Sequence, residues 1–222
     1  MEVVRVNDAD AAAEYAARRI AELIGAARDT RGQAHVALAG GSTPRAAYAQ
    51  LGSLVGDWGG VHLWFGDERC VGPDDDDANV RMVRESLHAP GAVEHRILGE
   101  LGPDEAAARY SDELGATVLD VALLGLGPDG HTASLFPGNP ALDARGVAVG
   151  VRDAPKPPPE RVSLTLSKLN SARALLLLTS GAEKREALER VLAGADPATP
   201  ASLLDRVKLE VIADEAALPP AS

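Results

Sequence analysis

Residues 123–137 read L-L-G-L-G-P-D-G-H-T-A-S-L-F-P, and this stretch decides the fold that we expect for the chain. It overlaps an apolar run from Val118 to Leu124, which is typical of a buried strand. Glycines then interrupt the apolar pattern, and Asp129 and His131 lie in the glycine-rich turn that follows. A strand that ends in such a turn and presents an imidazole is typical of the edge where open α/β sheets bind their ligands.

Strand-like and helix-like segments alternate along the rest of the chain. Strands are predicted over residues 3–6, 35–39, 61–65, 118–124, 146–151, 162–166, 174–179 and 208–212. Helices are predicted over residues 9–28, 45–51, 78–87, 104–116, 181–193 and 201–205. This alternation predicts an α/β fold with a mostly parallel sheet and helices on both faces.

A proline-rich run, A-P-K-P-P-P at residues 154–159, interrupts this alternation. We interpret it as a stiff extended connector, because the strand after it is expected to return to the same sheet. No composition break divides the chain, so residues 1–222 are expected to form a single domain.

Short polar side chains before the helical segments predict where those helices begin. Asn7 or Asp8 is expected to cap the first helix, and Asp77 the helix that starts near residue 78. Thr132 or Ser134 is expected to cap a helix after the glycine-rich turn.

The composition excludes several classes of partner. The net charge of −11 argues against nucleic acid or an anionic membrane, and the 3% aromatic content argues against a base-stacking surface. A small phosphorylated ligand needs only a few local cations and stays compatible. A single cysteine, Cys70, allows no intrachain disulfide, and no signal peptide or membrane-length apolar run is visible. We therefore expect a cytoplasmic protein.

A second motif, G-G-S-T-P at residues 40–44, follows the predicted strand at 35–39. Its glycines allow close approach of a ligand, the hydroxyls of Ser42 and Thr43 are donors, and Pro44 suits the first turn of a helix. Backbone N–H groups at a helix start bind anions such as phosphate. An ordinary strand-to-helix turn remains the alternative at this point.

A third motif, G-D-E-R-C at residues 66–70, also follows a strand. Its two acids and arginine would suit substrate hydroxyls and developing negative charge, although a surface ion-pair cluster is the alternative. Cys70 is interpreted as a small packed residue rather than a nucleophile. The four aspartates at 74–77 lack the spacing of a calcium loop and are interpreted as a solvated loop.

Histidine placement narrows the chemistry. No two histidines have the spacing of a zinc site, and His35 and His62 lie in strands, where a structural role is expected. His131 lies in a turn, where a neutral imidazole accepts a proton from water near pH 7. Lys184 is predicted in the first turn of a helix, where a cation opposes the helix dipole, so we expect it to bind an anion. Arg161 follows the proline-rich run.

Taken together, these motifs resemble the 6-phosphogluconolactonase family. The resemblance rests on A-G-G-S-T-P (39–44), F-G-D-E-R (65–69), N-V-R-M-V (79–83), G-L-G-P-D-G-H-T-A-S-L-F-P-G (125–138), P-K-P-P-P-E-R (155–161) and S-G-A-E-K (180–184). It implies a Rossmann-like sheet shared with glucosamine-6-phosphate deaminase and ribose-5-phosphate isomerase. It also implies hydrolysis of 6-phospho-D-glucono-1,5-lactone to 6-phosphogluconate, in the oxidative pentose phosphate pathway, without a metal or organic cofactor.

The resemblance also implies roles for individual residues. His131 would be the general base that activates water, and Asp129, Asp67 and Arg69 would shape the site around the lactone. The phosphate would be held by Gly41, Ser42, Thr43, Arg161 and Lys184. Asn79 is a further substrate-binding candidate, although the D-D-D-D-A-N lead-in departs from the family's usual pattern there.

Two alternatives are kept beside this hypothesis. The first is the related glucosamine-6-phosphate deaminase, which carries a glutamate five residues after the motif histidine. This chain has Phe136 at that position, and phenylalanine has no proton to transfer, so the deaminase hypothesis is disfavoured. A non-catalytic sugar-phosphate-binding regulator would keep the G-G-S-T-P turn without the imidazole. The expected partner is a small sugar-phosphate lactone, and the chain is expected to be a monomer or a small homo-oligomer.

Overall fold

The computed structural model describes residues 1–219 and contains ten strands. They are β1 (Glu2–Val6), β2 (Ala34–Leu38), β3 (Val61–Phe65), β4 (Asp67–Arg69), β5 (Val93–Glu94), β6 (Val121–Gly125), β7 (Ala148–Val151), β8 (Arg161–Leu164), β9 (Ala174–Thr179) and β10 (Leu209–Asp214). The short strands β4 and β5 were not predicted from the sequence, because two or three residues are too few to show a periodic pattern.

Helices separate most of these strands. They are α1 (Ala9–Arg31), α2 (Ser42–Leu54), α3 (Asn79–Ser86), α4 (Pro103–Leu114), α5 (Leu166–Asn170) and α6 (Arg185–Ala193). Short 3₁₀ turns cover Gly99–Leu101, Pro140–Asp143, Ala182–Lys184 and Pro200–Leu203. None of the helices within residues 1–219 has the length and apolar character needed to cross a membrane.

Seven strands form one sheet in the order β1-β10-β9-β6-β2-β3-β5, and every neighbouring pair is parallel. The predicted α/β fold with a mostly parallel sheet is therefore confirmed. Strand β9 is an interior strand of this sheet, and residues 175–179 are all buried. Continuous burial of this kind is expected for a parallel strand that is covered on both faces.

A second, antiparallel sheet was not predicted. It has the order β4-β8-β7, so the predicted strands at 146–151 and 162–166 do not return to the parallel sheet. The reason is that β4 continues directly from β3 past Gly66 and pairs with β8. The backbone N–H of Leu164 donates to the carbonyl of Gly66 at 2.8 Å, which anchors the new sheet to the end of β3.

The cap predictions had mixed outcomes. Asp8 caps α1, because its Oδ1 accepts a hydrogen bond from the backbone N–H of Ala11 at 2.8 Å. Asp77 does not cap α3: the helix begins after Ala78, which makes no side-chain cap. The first N–H groups of α3 instead bind the carboxylate of Glu68, which is distant in sequence.

The helix predicted after the glycine-rich turn does not form. Thr132 and Ser134 are both buried and use their hydroxyls for contacts outside any helix. Thr132 Oγ1 donates to the carbonyl of Gly125 at 2.9 Å, and Ser134 Oγ donates to Asp67 Oδ2 at 2.6 Å. These two bonds fold the turn back over the end of β6, so the prediction of a cap was wrong.

The strand histidines form a packed group that lies outside the cleft described below. His35 stacks on His62 with ring centroids 4.6 Å apart, and Trp64 Nε1 donates to His35 Nδ1 at 3.0 Å. His62 Nδ1 lies 2.9 Å from His95 Nε2. The Nδ1 atoms of His35 and His62 therefore both have partners within the group, in agreement with the structural role predicted for these two residues.

Truncation of a buried side chain in the interior strand β9 should destabilise the fold. Leu177 is fully buried and pairs with β10 on one side and β6 on the other. We expect Leu177→Ala to lower the free energy of unfolding by about 2–5 kcal/mol, because it removes buried methyl groups and leaves a cavity. Equilibrium unfolding in urea measures this quantity.

Val207→Ala is the matched control, because Val207 is 92% exposed. Its free energy of unfolding should stay within about 0.5 kcal/mol of the wild-type value. Equal effects of the two substitutions would contradict the assignment of β9 to the core.

Candidate active site

Loops from four parallel strands meet at the carboxyl edge of the sheet. They follow β2, β3, β6 and β9, which are neighbours in the sheet. Together with the proline-rich run they enclose a cleft of about 490 Å³. Of the ten predicted site residues, eight line it: Gly41, Asp67, Arg69, Asn79, Asp129, His131, Arg161 and Lys184. Ser42 and Thr43 lie directly beside Gly41 but are not in the cleft wall.

A larger cavity of about 670 Å³ adjoins the cleft and shares Asp129, Phe136 and Pro155 with it. The cation in its wall, Arg152, is already paired with Asp104 at 2.7 Å. The smaller cleft is the better candidate for the site, because it combines an imidazole with several cations.

Asp129 and His131 form a hydrogen-bonded pair in the turn after β6. His131 Nδ1 lies 2.5 Å from Asp129 Oδ1. Partial burial acts to raise the pKa of Asp129, but the hydrogen bond and charge of His131 outweigh it and lower the pKa to about 2. Asp129 is therefore ionised near neutral pH and only accepts hydrogen bonds, so the proton of a neutral imidazole lies on Nδ1. The lone pair of His131 Nε2 is left available as a base.

Gly127 makes this pair sterically possible. A Cβ atom at Gly127 would lie 2.1 Å from His131 Nδ1 and 2.6 Å from Asp129 Oδ1, which is closer than real contacts allow. Gly130 has φ +93, and its Cβ would lie 2.8 Å from Thr199 Cγ2. Two glycines of the motif are thus required by close packing and by backbone conformation.

Asp67 is held in place from two sides. It is 6% exposed, its Oδ2 accepts from Ser134 Oγ at 2.6 Å, and its backbone carbonyl accepts from Asn79 Nδ2 at 2.8 Å. The sequence left open whether Asp67 or Asp129 orients the imidazole. In the structure the carboxylate bonded to His131 is that of Asp129.

Asn79 packs directly on the G-G-S-T-P turn. A Cβ atom at Gly40 would lie 2.0 Å from Asn79 Oδ1, so only glycine fits there. The same amide donates to Asp67, as described above, and the side chain is 2% exposed. Asn79 therefore links the loops that follow β2 and β3.

The acidic part of the third motif is buried and is not a surface cluster. Asp67 and Glu68 are 6% and 2% exposed, and neither forms an ion pair within the described residues. Arg69 Nη1 donates to the backbone carbonyl of Asp77. Arg69 Nε is buried and has no hydrogen-bond partner among residues 1–219. Arg69 as a residue lines the cleft, and its guanidinium is the cation of this motif.

Phe136 and Arg161 form the wall beside the imidazole. The Phe136 ring centroid lies 4.6 Å from that of His131, and Arg161 Cζ lies 5.6 Å from the Phe136 centroid. Arg161 is 6% exposed, and its Nε and Nη2 donate to the carbonyls of Pro158 and Lys156 at 3.1 and 2.9 Å. Burial lowers the pKa of Arg161 from its usual value, but a guanidinium remains charged at neutral pH. The proline-rich run thus supplies the carbonyls that orient this cation.

The part of the cleft wall that contains Gly41 and Lys184 has the features of an anion site. Gly41 precedes α2, and the N–H groups of this helix start have no partner in the helix. Thr43 Oγ1 lies 3.2 Å from Ser180 Oγ, which joins the loops after β2 and β9. Lys184 lines the cleft and forms no ion pair within residues 1–219. It lies in the 3₁₀ turn just before α6 rather than in the helix predicted from residue 181.

Several cleft residues were missed as individual sites by sequence reasoning. Gly40 and Lys156 line the cleft, Ser134 binds Asp67, and Ser180 contacts Thr43. All four lie inside the motifs quoted above, so motif membership was the available signal. The sequence could not show which residues of different motifs lie close together in the folded chain.

Cys70 and the four aspartates at 74–77 are not supported as functional groups. Burial, followed by nearby carboxylates, raises the pKa of Cys70 to about 11, so its thiol is protonated at neutral pH. Residues 74–77 are exposed, as expected for a solvated loop. No group of three or more His, Cys, Asp or Glu side chains within residues 1–219 is arranged to hold a metal ion.

Comparison with known proteins identifies the family. Residues 7–213 match the family model described as glucosamine-6-phosphate isomerases/6-phosphogluconolactonase. The chain is 38% identical over 212 residues to 6-phosphogluconolactonase from Mycobacterium tuberculosis, covering 86% of this chain and 85% of that protein. A crystal structure of 6-phosphogluconolactonase from Shewanella baltica matches with a TM-score of 0.86 at 28% identity, covering 96% of this chain and 97% of the other.

The same fold also occurs in a monomeric glucosamine-6-phosphate deaminase. That structure matches with a TM-score of 0.84 at 23% identity, covering 98% of both chains, and this likeness concerns the fold alone. Fold, motifs and sequence identity agree, and the chain belongs to the glucosamine-6-phosphate isomerase/6-phosphogluconolactonase family.

Proposed function

We propose that the protein hydrolyses 6-phospho-D-glucono-1,5-lactone to 6-phospho-D-gluconate, a step of the oxidative pentose phosphate pathway. Relatives named 6-phosphogluconolactonase cover most of the chain and support this proposal. The observation that carries it is the Asp129–His131 hydrogen bond, which leaves a basic imidazole nitrogen free in a cleft that also contains cations.

The reaction begins with proton transfer to His131. As water adds to the C1 carbonyl of the lactone, Nε2 takes its proton, and Asp129 stabilises the imidazolium through Nδ1. The carbonyl oxygen becomes an oxyanion, for which the guanidinium of Arg69, a residue that lines the cleft, is the proposed donor. Collapse of the tetrahedral intermediate breaks the bond from C1 to the ring oxygen. The ring oxygen takes the proton from His131, and the product carboxylic acid releases a proton to solvent.

The phosphate anchors the other end of the substrate. Backbone N–H groups of Gly41, Ser42 and Thr43 at the start of α2 bind phosphate oxygens, and Arg161 and Lys184 supply positive charge. Anchoring one end in this way holds C1 against His131 and converts the chemical step into an effectively intramolecular one. The polar side chains of Asp67 and Asn79 bind the sugar hydroxyls.

Phe136 favours lactone hydrolysis over sugar-ring opening. Its ring contacts that of His131, so an acidic residue at this position would lie beside the base and could transfer a proton. Phenylalanine cannot transfer a proton. Addition of fresh 6-phosphogluconolactone should release acid faster than spontaneous hydrolysis does. Deaminase activity would instead release ammonia from glucosamine 6-phosphate, and a regulator that only binds would do neither.

The proposal extends to the setting in which the enzyme acts. Both substrate and product are small and water-soluble, so we propose a cytoplasmic enzyme. The family match over residues 7–213 supports a single domain that spans the chain. We also propose that the protein is a monomer or a small homo-oligomer.

Removal of the base should affect the chemical step more than binding. We expect His131→Ala to lower kcat roughly 10²–10⁴-fold, the usual contribution of general-base catalysis, with little change in KM. Steady-state acid release measures both constants. His88→Ala is the control, because His88 is exposed and lies outside the cleft. Near-normal turnover in His131→Ala would show that another group is the base.

The role of Asp129 can be tested separately from that of the base. We expect Asp129→Asn to lower kcat, because a neutral amide stabilises neither the Nδ1–H tautomer nor the imidazolium. The loss should not exceed the roughly 10²–10⁴-fold that general-base catalysis is worth. Asp112→Asn, at an exposed position of α4, is the matched control. An unchanged kcat in Asp129→Asn would contradict the proposed pair.

The phosphate site makes a prediction about binding alone. We expect Lys184→Ala to weaken binding of 6-phosphogluconate roughly 10- to 100-fold, because it removes one hydrogen bond between charged groups. Isothermal titration calorimetry measures the affinity. Arg18→Ala, on the exposed face of α1, is the control for a lost positive charge. An unchanged affinity in Lys184→Ala would place the phosphate elsewhere.

A further inference from the structure

Glu68 is a buried carboxylate for which the proposed mechanism has no use. It lies between the site residues Asp67 and Arg69, yet it is absent from the cleft wall and is only 2% exposed. Within residues 1–219 it forms no ion pair. A buried acid needs other partners, because taking a charge out of water is costly.

Its partners are three backbone N–H groups. Glu68 Oε1 accepts from the N–H of Arg69 at 2.8 Å and from the N–H of Asn79 at 2.7 Å. Glu68 Oε2 accepts from the N–H of Val80 at 2.8 Å. Two of these donors are the first residues of α3, so Glu68 caps a helix that its own N-cap residue, Ala78, does not cap.

This cap determines where Asn79 lies. With its backbone N–H fixed by Glu68, Asn79 directs its amide towards Asp67 and packs its Oδ1 against Gly40. The contact with Gly40 leaves no free space, because even a Cβ atom there would overlap the amide. A shift at the start of α3 would therefore be transmitted to the loops after β2 and β3.

We infer that Glu68 is a positioning residue, which acts from outside the cleft to hold Asn79 and Arg69 at the geometry that the reaction requires. The inference rests on the proposed lactonase function and names no contact between Glu68 and the substrate. Positioning by Glu68 differs from a purely structural role because it depends on the charge state of the side chain. The ionised carboxylate accepts the hydrogen bond from the backbone N–H of Val80.

Protonation of Glu68 should weaken this positioning. Burial raises the pKa of Glu68 to about 7, although its three N–H bonds act in the opposite direction. Below that pH one oxygen becomes an O–H donor and cannot accept as before. The titratable and charged groups near enough to interact electrostatically with Glu68 are Asp67, Arg69, Cys70, Arg96 and Tyr110.

The substitution Glu68→Gln imitates the protonated acid at nearly constant shape. The glutamine amide carries an NH₂ donor in place of one carboxylate oxygen. We expect kcat/KM for 6-phosphogluconolactone to fall about tenfold at about pH 8, the scale of one weakened charged hydrogen bond. The ratio of wild-type to variant kcat/KM should approach one as the pH falls through 7 towards about 5.5, because wild-type Glu68 is then protonated as well.

Glu85→Gln is the matched control on the same helix. Glu85 is exposed and pairs with Arg81, so its kcat/KM should equal that of the wild type at every pH. A wild-type to Glu68→Gln ratio that stays at one, or that stays equally raised at all pH values, would overturn the inference. Absence of lactonase activity in the wild type would instead overturn the proposed function.

A second measurement uses the wild-type protein alone and does not depend on folding of the variant. In ¹⁵N–¹H spectra the amide resonances of Arg69, Asn79 and Val80 should titrate together, with a midpoint near the pKa of about 7. Resonances that do not move between about pH 5.5 and pH 8 would contradict the inference whatever the variant does.

Discussion

Parallel pairing of β6 between β9 and β2 is the constraint on which the site depends. Parallel strands end at the same edge of a sheet, so the loops that follow them converge there. Strands β9 and β10, which follow β6 in the chain, lie on one side of it with β1 beyond them, and β2, β3 and β5 lie on the other side. The strand order therefore reverses at β6, and the loops diverge there. The Asp129–His131 pair follows β6 and lines the cleft at this edge.

Close packing then fixes the details that the sheet leaves free. Gly127 leaves room for the side chains of Asp129 and His131, and Gly40 leaves room for the side chain of Asn79. Each position would overlap a side-chain atom if it carried a Cβ. The motif glycines are thus explained by contacts between loops as well as by turn conformation, and a methyl group at either would displace a side chain of the site.

The cleft contains cations that are available to an anion, although the chain as a whole is negatively charged. The net charge is −11, yet the acids at the cleft are engaged in internal bonds: Asp129 binds His131, and Asp67 binds Ser134. Lys184 and Arg161 remain available to an anion, because neither forms an ion pair within residues 1–219. An acidic protein can therefore bind a phosphorylated substrate when its local carboxylates have other partners.

The sequence by itself determined the features that depend on local pattern. Alternating apolar segments predicted the parallel sheet, and the motif singled out His131. The cap of the first helix was predicted at Asn7 or Asp8, and it is Asp8. Only the tertiary structure decided which carboxylate bonds the imidazole, that residues 161–164 join a second sheet, and that Glu68 caps α3. The physical reason is range: strand periodicity and Asx caps act over a few residues, whereas these contacts join segments that only folding brings together.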